Sequence, residues 1–226
     1  MYATTRQVKL YESLSIKSEK VKAALSAMPP SNSIKKPVTY FLLFTGQMID
    51  KPDRKEPRFP SSKEVEVRKA IKDKLVLEKN KIEEGSVLCG IAGGACGGDI
   101  LFHEICAELD IPTQMFLAIP REKFLVESVA FAGIDWIERF DKLYEKLPHP
   151  VLSDQKELPK WLQKKPGYDI WSRNNLWELN YSLINGGMNM TLLALWDGKA
   201  ADGPGGTEDM VNLAKKNGSK TVIIDI

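Results

Sequence analysis

Five short apolar runs, each closing on glycine or another small residue and each separated from the next by helically spaced stretches, constrain this chain more than any other feature. The first, Val38-Thr39-Tyr40-Phe41-Leu42-Leu43-Phe44, is apolar at every second position and at the positions between. That pattern fits a strand buried on both faces, and Thr45-Gly46 ends it. Ser61 stands three residues before Glu64, a capping-box spacing, and Val65, Ala70, Ile71 and Leu75 follow at helical intervals. The alternation continues with strands expected at 86–91, 113–119, 190–196 and 221–225. Helices are expected near 98–109, between 121 and 146, and at 170–185 and 207–217, the last stopping at Asn217-Gly218. Strand and helix in strict alternation require crossover connections. The fold class expected is therefore α/β, Rossmann-like and doubly wound, with a mainly parallel five-stranded sheet and helices on both faces.

A chain of 226 residues suits one core, since single cores grow to roughly 200–250 residues before they divide. The expected division is an N-terminal helical segment at 1–33, a repeat remnant or docking arm that ends at Met28-Pro29-Pro30-Ser31, and one ligand-binding domain at 34–226. The proline-rich stretch 148–169 reads as a surface excursion. No apolar run approaches the roughly 20 residues that span a bilayer. The opening MYATTRQVKLYESL has no apolar core of a secretory signal, and three cysteines cannot all pair, so a cytoplasmic location is expected. Net charge is +2, from 32 basic and 30 acidic residues, without the one-signed excess typical of nucleic-acid-binding domains.

Ligands of doubly wound sheets sit beyond the carboxyl ends of the strands. The glycines gather there. Cys89 to Asp99 carries five of them, with Gly93, Gly94, Ala95, Gly97, Gly98 and Asp99 passing from a strand into a helix whose free N–H groups suit an anion. Asp99 fits either a helix cap or a ribose contact. Asp197 opens a second loop, in which Pro204, Gly205, Gly206 and Thr207 lead into the next helix, and Thr45, Gly46 and Gln47 form a third. Arg173 and Asn174, on the aromatic helix, are candidates to reach a phosphate. Trp171, Trp177 and Tyr181 on the same helix fit a packed core at least as well as a stacking platform. Two histidines and no CxxC spacing give no metal site, and no Walker lysine, nucleophile elbow or HExxH is present. No cofactor is expected.

These residues resemble the SLOG superfamily, which includes the DNA-processing protein DprA and the LOG phosphoribohydrolases. CGIAGGACGGDILFH at 89–103 resembles the DprA-type glycine turn, and PGGT at 204–207 the glycine-rich loop of LOG enzymes. LFTGQMIDKPDRKEPRFP, GGACGGDILF, IWSRNNLWEL and LWDGKAADGPGGTEDM, in that order, resemble the SLOG-type domain that follows tetratricopeptide repeats in bacterial signalling proteins. The resemblance spans about 38–226 and implies sensing of a nucleotide-derived messenger, cyclic or ADP-ribose-like, in bacterial stress or antiviral signalling. It also implies a homo-oligomer or a fused effector partner.

Three functions follow as expectations. The favoured one is a ligand sensor. The second is an N-glycosidase, of LOG-like phosphoribohydrolase or nucleoside deoxyribosyltransferase-like type. It needs a carboxylate, and Met210 stands where LOG enzymes carry glutamate, leaving Glu208, Asp209 or Asp99 as catalytic candidates. The third is DprA-like single-stranded DNA binding, which the mixed charges of 63–81 and 156–165 disfavour.

Overall fold

A computed structural model describes residues 37–199 and 206–226, together with Glu19. The N-terminal segment expected at 1–33 lies outside the described residues apart from Glu19, as do Pro204 and Gly205. The strands are β1 (Thr39–Gly46), β2 (Val87–Ala92), β3 (Thr113–Met115), β4 (Met190–Leu195) and β5 (Lys220–Ile224). Between them run α1 (Glu64–Lys79), α2 (Gly98–Glu108), α3 (Arg121–Ser128), α4 (Ile134–Lys146), α5 (Ile170–Ser182) and α6 (Thr207–Lys216). All strand pairs are parallel, in the order β3-β2-β1-β4-β5. The sheet is Rossmann-like and doubly wound.

Why both faces are covered follows from strand parity, because successive side chains point to opposite faces. Leu42 and Phe44 of β1, with Leu193 and Leu195 of β4, join one core with Val67, Ile71 and Leu75 of α1, Ile100 and Leu101 of α2, and Phe140 of α4. Phe41 and Leu43, with Leu192 and Ala194, join the other core with Leu179 of α5 and Met210, Val211 and Ala214 of α6. The continuous apolar run of β1 is thus explained by burial from both sides. The chain winds outward from β1 to β3 and then returns to place β4 against the free edge of β1, so the topological switch point lies between β1 and β4.

Two expectations need correction. Ser61 caps nothing: Ser61–Lys63 is a 3₁₀ turn in which Lys63 N–H donates to the Pro60 carbonyl, and α1 starts at Glu64 without a side-chain cap. The third strand stops at Met115 rather than reaching 119 because its inner partner ends first: β2 closes at Ala92, whose carbonyl accepts the Phe116 N–H at 2.8 Å. Met115 N–H donates to the Pro148 carbonyl at 2.9 Å and Leu117 N–H to the Pro150 carbonyl at 3.0 Å, with Leu117 bridged to Val151. The proline stretch, which also donates the Leu152 N–H to the Leu117 carbonyl at 2.8 Å, covers the outer edge of β3. Part of 148–169 is therefore an edge cover.

Candidate functional site

A cavity of about 290 Å³ opens beyond the carboxyl ends of β1 and β2, against the starts of α2 and α6 and the inner side of α5. Thr45, Gly46, Gly93, Ala95, Asp99, Asn174, Gly206 and Thr207 line it, so the three glycine loops and the aromatic helix contribute to one space. Among the described residues no side chain caps α6, and its N-cap Gly206 and first residue Thr207 face the cavity with a helix N-terminus. Glu178 also lines this space, and the sequence did not single it out.

Asp99 and Glu178 are the chemical centre of the cavity. A methyl group placed on Gly93 would lie 2.7 Å from Asp99 Oδ2 and 3.8 Å from Glu178 Oε1, so these two oxygens are at most about 6.5 Å apart, the sum of those distances. Only glycine leaves this floor open. Burial pushes the Asp99 carboxyl up to about 7, although the Ala95 N–H donates to Oδ2 at 3.2 Å and pulls the other way. Burial, followed by the charge of Asp99, raises Glu178 well above the usual carboxylate range, and the Asn174 amide, donating at 2.7 Å, offsets part of it. Two carboxyls facing one cavity and both raised by burial are an arrangement typical of functional sites. Asn174 Nδ2 faces two acceptors, Glu178 Oε1 and the Phe116 carbonyl, which fixes its orientation and leaves Oδ1 without a partner among the described residues.

Behind this floor lies His103, fully buried. Its Nε2 is 2.9 Å from the Gly93 carbonyl and its Nδ1 is 2.9 Å from Thr113 Oγ1. A carbonyl only accepts, so Nε2 carries the proton and Nδ1 accepts from the threonine hydroxyl. Burial lowers the imidazole to about 4, and the ring is neutral. His103 thus pins Gly93 beneath the carboxyl pair. Replacing His103 with Leu is expected to cost about 2 kcal/mol in urea unfolding near neutral pH, because a buried carbonyl and a buried hydroxyl lose their partners. The stability that His103 contributes is expected to fall as pH drops from 6.5 towards 4, while the unfolded chain binds a proton that the folded imidazole refuses, so across that window the parent's curve lies on a different slope from the Leu variant's. An acid-side slope identical in the Leu variant would exclude His103 as its source.

Other expected site residues lie elsewhere. Gln47 offers its backbone carbonyl to Gly98 N–H, at 3.0 Å. Gly94 and Gly98 are packing glycines: a methyl on the first would meet Met115 Sδ and Phe140 at 2.9 Å, and on the second Phe44 at 3.0 Å. Gly97, at φ 105°, crosses the backbone of Gln47 to Ile49. Asp197 is bound by the buried Arg58, with Nε to Oδ2 at 2.9 Å and Nη2 to Oδ1 at 2.7 Å. The Arg58 hydrogen bonds hold its carboxyl below the usual range, and the pair ties the loop after β1 to the end of β4. Arg173 and Glu208 are not in the lining, and Asp209 faces a neighbouring groove.

Trp177 and Tyr181 pack on Phe116, with ring centroids 4.5 and 5.2 Å away; Trp177 is half-buried against the core and Tyr181 stays exposed. Trp171 lines the cavity. Burial raises all three thiols, Cys96 to about 12, which removes them as nucleophiles at neutral pH. Among the described residues no cluster of three or more His, Cys, Asp or Glu could hold a metal ion, and no helix is long and apolar enough to cross a membrane. In comparisons with protein-family models and with curated proteins, the chain matches none.

Proposed function

We propose that this chain binds a nucleotide-derived small molecule in the switch-point cavity and acts as a sensor of it. The pair of half-buried Asp99 and buried Glu178 carries this reading. Carboxyls raised towards the protonated form both donate and accept hydrogen bonds, as a ribose diol does, and Asn174 Oδ1 adds a further acceptor. A phosphate belongs at the α6 N-terminus, beside Gly206 and Thr207. Trp171 offers a face for a base. The SLOG resemblance supports the same ligand class.

One observation favours a second reading, N-glycoside hydrolysis. Glu178 brings a carboxylate into the cavity from α5, although Met210 leaves the LOG-like position on α6 without one. Glu208 and Asp209 do not line the cavity. In this reading a carboxylate activates water while the sugar takes on oxocarbenium character, and a raised pKa suits the acid partner of such a pair.

A single experiment separates the two. AMP, ADP, ADP-ribose and NAD are each titrated calorimetrically, and every mixture is then chromatographed for free base. Tight binding with intact ligand is the expected result. Base released by the parent and abolished in Glu178→Gln would transfer the conclusion to hydrolysis. Absence of binding by all four would overturn both readings.

A further inference from the structure

Beside the cavity, between α5, α6 and the segment before α5, runs a second groove of about 520 Å³. Asn175 lines both spaces, so the two are neighbours across one side chain. The groove differs from the cavity in chemistry. Leu176, Met210 and Leu213 supply an apolar wall, Tyr168 an aromatic ring, and Lys165 and Lys216 positive charge against the single acid Asp209. Lys165 Nζ stands 3.9 Å from the centre of the Tyr168 ring, which holds an ammonium group over the aromatic surface.

We infer that the groove takes the second half of a two-ended ligand: a pyrophosphate-linked compound whose first ribose sits on Asp99 and Glu178 and whose further phosphate and sugar or base pass Asn175 towards Lys165, Lys216 and Tyr168. This rests on the nucleotide reading of the cavity. The size of each space supports it, because about 290 Å³ lies at the small end of ligand sites and suits little more than one nucleoside unit. Charge supports it as well. The cavity's side chains bring acids and no lysine or arginine, whereas the lysines that would meet a second phosphate stand in the groove.

The test compares AMP with ADP-ribose on the parent and on the double variant Lys165→Glu/Lys216→Glu. Lys165 and Lys216 are both exposed, and neither residue is in the cavity, so the fold and the first half-site stay intact. The parent is expected to bind ADP-ribose at least tenfold more tightly than AMP. The double variant is expected to lose that margin while its AMP affinity stays within twofold. Equal affinities for the two ligands in the parent, or equal losses for both in the variant, would overturn the two-ended ligand and leave the cavity reading standing. Failure of the parent to bind AMP and ADP-ribose alike would remove the cavity reading first and this inference with it.

Discussion

Asp99→Asn is expected to stabilise the folded chain by about 4 kcal/mol near pH 8 and to change it little near pH 3. The reasoning is linkage. In the unfolded chain Asp99 loses its proton near its ordinary value of 3.8, but in the folded chain burial holds the proton until about 7. As pH rises through that window, the unfolded state gives up a proton that the folded state keeps, and the folded state loses stability. Above the folded value the loss is complete and constant. Asparagine has nothing to ionise, and its side-chain oxygen still accepts the Ala95 N–H, so the variant avoids the whole loss. Urea unfolding of both proteins across pH 3 to 9 reads the difference directly. The same variant is expected to bind nucleotide at least tenfold more weakly near neutral pH. Equal stabilities at pH 8 would show that the folded Asp99 gives up its proton as readily as the unfolded one, and the proton-holding pair would have to be abandoned.

Glu178→Gln is expected to act in the same direction, but the two gains should not add. The charge of Asp99 is itself part of what raises Glu178, so removing either acid relieves the other. A stability maximum that rises when cavity residues are neutralised is characteristic of groups kept for binding at the expense of folding. Structural ion pairs in this chain behave oppositely. Glu104, between Arg68 and Arg139, is held below its ordinary value by those arginines despite its burial, and its removal should destabilise. The sign of the stability change therefore separates functional acids from structural ones.

Much of the fold was legible because strands buried on both faces leave continuous apolar runs, and β1, β2, β4 and β5 each fall within one or two residues of their expected positions. Gly218, at φ 74°, follows the end of α6 as the Asn-Gly stop requires. β3 was overextended because its apolar run continues past Ala92, where its inner partner β2 ends and the glycine turn begins. The site was half legible. Glycines at strand ends mark where backbone passes close to something, but sequence does not say whether that is a ligand, another backbone or a phenylalanine. Glu178 was missed because a glutamate on a helix usually faces water. The signal was present in the spacing of α5, where Ile170, Asn174, Glu178 and Ser182 fall four apart and are all buried. A buried stripe that is polar at three of four positions calls for partners outside the helix.

Gly97→Ala is expected to destabilise the chain by about 4 kcal/mol, from two costs of roughly 1–3 kcal/mol each, and thereby to dismantle the site. Gly97 has φ 105° and ψ −125°, a region that residues with a Cβ adopt only under strain. An added methyl would also lie 2.7 Å from Ile49 N and 2.8 Å from the Gln47 carbonyl oxygen. These are backbone atoms held in place: Gly98 N–H donates to that same carbonyl, Ile49 N–H donates to the Cys96 carbonyl at 3.1 Å, and Met48 bridges Gly97. Relieving the clash separates the loop after β1 from the turn before α2, the two walls that bring Thr45 and Gly46 to face Asp99. Gly85→Ala is the matched control, since Gly85 also has a positive φ, 81°, but nothing within 4 Å. It is expected to cost about 1 kcal/mol, the strain alone. Chemical unfolding of the two variants side by side gives, by difference, the crossing contact together with the added backbone strain at Gly97. A Gly97→Ala chain no less stable than the Gly85→Ala control would mean that the loops can part without cost, and that the walls of the cavity are not fixed before ligand arrives.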